Sequence, residues 1–190
     1  MFTQSLVKLL IMAGADIFKL TSIGLSVLHI AAQTDSPEIV AHFIEIGQDI
    51  EQRDYKEGTP LHWAAFTGSY NAASVLLASN CTVNPTDSDG RSPLHLAIIA
   101  NQVRLVRLLL IKGASRKLKD FSGKTPPELA LEMNRGKMLK MLRDPGICEY
   151  MGCKPLLKPY RRTRLNYFLI MLILVTVSYT HLTLPTKRIV

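Results

Sequence analysis

Apolar positions along this chain come in short pairs of bursts. Leu61, Ala64 and Ala65 fall on one face at helical spacing and predict a short helix that opens at Thr59 and ends at Gly68. Thr59 suits the cap of that helix, and Pro60 suits its first position, where no backbone N–H is needed. A second burst, Val75, Leu76 and Leu77, predicts another helix from Ala72 to Ala78 with those three side chains inward and Asn80 closing it. An extended stretch with Asp87 and Gly90 then turns the chain toward the next pair.

The pairs recur at a fixed period. Ser26, Thr59, Ser92 and Thr125 each begin a related phrase ("SVLH", "TPLH", "SPLH", "TPPE") in steps of 33 residues. Gly14, Gly47, Gly113 and Gly146 keep the same period, and Asn80 fills the remaining slot. The run "LVKLL" from Leu6 matches "LVRLL" from Leu105, 99 residues on, three periods away. Three independent registers predict an all-α solenoid of helix-turn-helix units. No single unit buries its own apolar face, so stability is expected to come from neighbours.

The unit resembles the ankyrin repeat. The residues that carry the resemblance are Asp54, "TPLH" at 59–62 and Gly68, then Asp87, Gly90 and "SPLH" at 92–95, then Asp120, Gly123, Thr125 and Pro126. There are departures. Thr21 stands where the turn aspartate is expected, Gly58 sits one place late, and Pro127-Glu128 replaces Leu-His. The reading gives a partial repeat over 1–20, repeats over 21–53, 54–86 and 87–119, and a degenerate capping repeat over 120–146, with Lys137 and Lys140 making its second helix polar. The chain starts in mid-unit, as a truncated N-terminus would.

Charge divides the chain. Positions 1–145 hold 16 basic and 14 acidic residues, while positions 146–190 hold 7 basic and 1 acidic. The repeats, near neutral and with charges read as mixed, predict no nucleic-acid partner. Five of those seven basic residues, Lys154, Lys158, Arg161, Arg162 and Arg164, lie in a basic linker over 147–164 just before an apolar run. That order predicts a transmembrane helix over 165–184 with the repeats on the cytosolic side. The run is short: Leu165 to Val177 is 13 residues, about 20 Å of helix against a hydrocarbon core of about 30 Å. Residues 178–190 read as foreign to what precedes them and are similar to translated adaptor sequence. Cys81, Cys148 and Cys153 make neither a disulfide framework nor a metal motif. Cys148 and Cys153, beside the expected membrane, are candidates for lipidation.

Nothing in the repeats proposes catalysis, a cofactor or a metal. His29, His62 and His95 lie one period apart, too far for one ion, and the resemblance gives them a role in holding the turn. "SGKT" at 122–125 lacks the glycine a phosphate loop needs at position 118 and falls on the repeat's own register. Protein binding is the expected use, through turn tips and exposed first-helix positions. These are Tyr55 and Lys56, Phe66 and Thr67, Ser88, Asp89 and Arg91, and Phe121, Ser122 and Lys124. Trp63 could join these aromatics, and is read first as packing between repeats.

Repeats, basic linker and apolar run together resemble the N-terminal part of ankyrin-repeat protein S-palmitoyltransferases. The resemblance implies that the repeats recruit substrates for a parent enzyme. The Cys-rich Asp-His-His-Cys segment that carries the acyl group in that family is not in these 190 residues. A repeat-bearing cation channel and a plain adaptor share the same layout, and stand as the other expectations.

Overall fold

The computed structural model describes residues 12–143, which form helix pairs in tandem and, among the described residues, no strand. The helices are α1 (Val27–Gln33), α2 (Pro37–Glu45), α3 (Pro60–Thr67), α4 (Tyr70–Ala78), α5 (Pro93–Ile99), α6 (Val103–Ile111), α7 (Pro126–Glu132) and α8 (Gly136–Arg143). First helices pack in a row, α1 on α3 on α5 on α7, and second helices in a parallel row, α2 on α4 on α6 on α8. This is the all-α repeat stack that the period predicts. None of its helices is long and apolar enough to cross a membrane. The expected span at 165–184, the linker, residues 178–190, Cys148 and Cys153 lie outside the described residues, as does most of the partial repeat.

Local chemistry explains each turn of the brick. The residue before each first helix is extended, and Pro60, Pro93 and Pro126 start their helices where no N–H is lost. Small residues form the seam between first helices: Ala31, Ala32, Ala64, Ala65 and Ala97 are fully buried. Gly68 ends α3 with φ +84°, and Asn80 follows α4 with φ +60°. The second helix begins two residues earlier than expected, at Tyr70, and buries Ala72, Ala73, Leu76 and Leu77. Val75 is only half-buried, because Ala72 and Ala73 rotate the apolar face away from it.

Between pairs, the turn aspartates organise the tips. Asp54 Oδ1 accepts from the N–H groups of Lys56 and Gly58, and Asp87 Oδ1 from those of Asp89 and Arg91. Thr21 does half of this work, since its hydroxyl accepts from Leu25 N–H alone. Neighbouring tips are stitched in turn, Tyr55 N–H to Ile23 O, Ser88 N–H to Lys56 O and Phe121 N–H to Asp89 O.

Candidate functional site

The three histidines join one brick to the next. In each, Nδ1 accepts from the backbone N–H of the cap residue, Ser26, Thr59 or Ser92, at 3.1–3.2 Å. An acceptor there fixes the proton on Nε2, which points into the following repeat. His29 Nε2 donates to Gly58 O at 3.0 Å, His62 Nε2 to Arg91 O at 3.0 Å and His95 Nε2 to Lys124 O at 3.3 Å. Burial holds all three imidazoles below their ordinary pKa, against the smaller opposing effect of these carbonyls and of nearby aspartates. They are structural clasps, one per junction.

The clasp between repeats 54–86 and 87–119 lies in the wall of a cleft of about 220 Å³. One repeat contributes Asp54, Lys56, Gly58, His62, Trp63 and Phe66; the next contributes Asp87, Asp89, Arg91 and Leu96. Trp63 Nε1–H donates to Asp54 Oδ2 at 2.8 Å, so the indole lies across its own turn. Gly58 makes room for that carboxylate: a Cβ there would come within 3.1 Å of Asp54 Oδ2. The corresponding positions in the other repeats carry Leu25, Arg91 and Lys124. Phe66, half of its surface open to solvent, and Leu96 extend the apolar wall. Lys56 and an Arg91–Asp89 ion pair of 2.7 Å supply charge at the edge. The volume is below the roughly 300–1,000 Å³ of small-molecule pockets and suits a single inserted side chain.

Of the residues expected to meet a partner, Lys56, Phe66, Asp89 and Arg91 converge on this cleft. The others do not line it. Thr67 is half-buried, and its hydroxyl donates to Trp63 O and bonds Ser69, so it belongs to the helix end. Ser88 and Ser122 are exposed at their tips, and Lys124 is paired with Glu132 at 2.6 Å. Tyr55 and Phe121 are 72 % and 81 % exposed, yet each ring covers the glycine of the preceding tip. A Cβ on Gly24 or Gly90, both at positive φ, would lie 2.7 Å from the Tyr55 or Phe121 ring. Asp54, Gly58, His62, Trp63, Asp87 and Leu96 complete the cleft and were not among the expected site residues. Trp63 packs on the core as expected and also faces the cleft. Leu96 was findable, because it stands one period after Trp63.

Comparison with known proteins agrees with this architecture. The family profile described as "Ankyrin repeats (3 copies)" matches residues 2–87 and again 76–151. NF-kappa-B inhibitor alpha of Gallus gallus is 45 % identical over 49 residues, 26 % of this chain and 15 % of that protein. An ADP-ribosylation factor GTPase-activating protein of Arabidopsis thaliana is 41 % identical over 54 residues, 28 % of this chain and 7 % of that protein. The chain thus covers only a small part of either relative.

Proposed function

Because the chain belongs to the ankyrin-repeat family, we propose that the cleft between repeats 54–86 and 87–119 is where a partner protein inserts an anchoring side chain. One observation carries this reading. Trp63, Phe66 and Leu96 present apolar surface beside unspent charge at Lys56, in a space sized for a side chain. Buried anchors ringed by polar groups supply most of the energy of protein interfaces. Tyr55 and Phe121 extend the contact along the tips.

In this proposal the repeats face the cytosol, tethered by the basic linker and an apolar helix over 165–184. They recruit protein substrates to a membrane-bound S-palmitoyltransferase, the parent enzyme whose layout the chain resembles. The sequence order of repeats, cations and apolar run supports the tether. The acyl-transfer role rests on resemblance of layout. An Asp-His-His-Cys segment encoded downstream in the same reading frame is the result this reading expects; a pore helix between two later spans would favour the channel instead.

The cleft is tested by crosslinking. A photoreactive residue at position 66 of the full chain should capture a defined protein, and Arg91→Glu should abolish that adduct without lowering the melting temperature. Equal capture from position 66 in both chains would reject the cleft as the contact.

A further inference from the structure

The small net charge of the repeats conceals a separation of sign. Among the described residues, positions 12–102 carry 4 basic and 10 acidic side chains, a net of −6, and positions 103–143 carry 11 basic and 3 acidic, a net of +8. The charges are sorted rather than mixed.

The stack turns this into a gradient. Residues one period apart occupy the same place on successive second helices, which pack side by side. Along one such row stand Glu38, Asn71, Arg104 and Lys137; along another, Ala41, Ser74, Arg107 and Lys140. The segments after these helices repeat the trend, with Glu51, Asn84 and Lys117 one period apart. Arg104, Lys112, Lys117, Lys137 and Lys140 are exposed. Arg104 stacks on Tyr70 at 4.7 Å, while no ion pair engages Lys112, Lys117, Lys137 or Lys140 among the described residues. Exposed cations on the neighbouring helices α6 and α8, with Lys112 and Lys117 in the segment after α6, thus make the last two units of the stack its cationic end. In the sequence, the basic linker over 147–164 follows α8.

We propose that this cationic end, centred on Lys112, Lys117, Lys137 and Lys140, rests on the anionic headgroups of a membrane leaflet and orients the repeats with their acidic N-terminal end away from it. The inference deepens the tethered reading above: it says which end of the stack meets the lipid. Two features favour a lipid surface over other polyanions. The cations are spread across two neighbouring helices and a loop as a broad patch, and the ring among them, Tyr70, lies under Arg104 rather than open for a base to stack on. They also precede, in the sequence, the basic linker and the apolar segment expected to enter the bilayer, and clustered basic residues on the cytosolic side are attracted to an anionic leaflet.

The test uses the full chain and a variant with Lys112→Glu, Lys117→Glu, Lys137→Glu and Lys140→Glu. Each is sedimented with neutral phosphatidylcholine vesicles and with vesicles containing phosphatidylserine. The native chain should bind the anionic vesicles more tightly, with a gain that fades as salt rises. The variant should lose at least about tenfold of that gain. Should the variant fold poorly by circular dichroism, the corresponding four Lys→Gln changes must reduce the gain instead. Equal gain in native and variant chains would assign it to the linker and overturn the proposal, as would no gain in the native chain. Tighter binding to a duplex RNA or a polyglutamate at matched salt would overturn it in favour of those partners. Failure of the tether alone shows differently: neither chain then binds neutral vesicles, while the charge-dependent difference on anionic vesicles survives.

Discussion

The repeat at 54–86 and the repeat that begins at Asp120 are built from the same phrase and do different work. In the first, His62 closes its own cap and reaches Arg91 O in the next repeat. In the last, Glu128 closes the cap, accepting from Thr125 N–H and hydroxyl at 2.7 Å, and reaches no further. The seam differs too. Ala65 is fully buried between α1 and α5, while Leu131, two periods on, is 59 % exposed. Lys137 and Lys140 are exposed as a polar cap requires, but the adjoining end face keeps an apolar spot at Leu131. A side chain's worth in this molecule thus depends on whether a neighbour stacks on it. The cleft is a product of such a junction, since its two walls belong to different repeats clasped by His62.

Acidification should strain the clasped junctions most. His29, His62 and His95 are held neutral in the fold, so the unfolded chain binds protons that the folded chain refuses. Their contribution is present above the ordinary value near 6.5 and is lost as pH falls below it, by up to about 1.4 kcal/mol per pH unit for each histidine. Urea unfolding at pH 7.5 and 5.5 should show the loss; a pH-independent midpoint would mean that the imidazoles are not buried clasps.

Substitution separates the two repeats directly. His62→Ala leaves Thr59 N–H and Arg91 O without partners and should cost about 3 kcal/mol in denaturant unfolding. Glu128→Ala removes only a solvent-exposed contact to its own cap and should cost far less. Equal costs would erase the distinction between junction and end.

Packing offers a subtler contrast. Ala65→Leu places a large side chain in a closed seam and should cost about 2 kcal/mol. Leu131→Ala removes a half-exposed one and should change stability by less than about 1 kcal/mol. The smallest effect is expected at the tips: Tyr55→Ala with Phe121→Ala should weaken partner capture while shifting the melting temperature little, because both rings only cover neighbouring glycines. A large thermal shift would make them structural.

Much of this was legible in the sequence because the repeat is written into it. Thr59, Pro60 and Gly68 state a cap, a first position and a left-handed end, and each falls where local chemistry alone places it. What escaped depended on contacts between distant residues or on compensations within one turn. The Trp63–Asp54 bond needs the space left at Gly58, which no helix period announces. Glu57 takes a positive φ of 58° in the place where glycine stands in the neighbouring repeats. Thr21 supports its turn with a hydroxyl in place of a carboxylate. The cleft itself was half visible: Lys56, Phe66, Asp89 and Arg91 were readable as exposed positions, whereas Asp54 and Asp87 read only as turn formers. The sorting of charge was hidden by summing it over all repeats.

The claim on which the cleft depends is that His62 clasps two repeats as a neutral imidazole, and long-range proton–nitrogen NMR of its ring tests this most directly. The expected result is a ring midpoint below the ordinary value, with Nδ1 unprotonated and a slowly exchanging Nε2–H in the neutral form. A His62 ring that titrates at an ordinary value near 6.5 with a rapidly exchanging Nε2–H would contradict it.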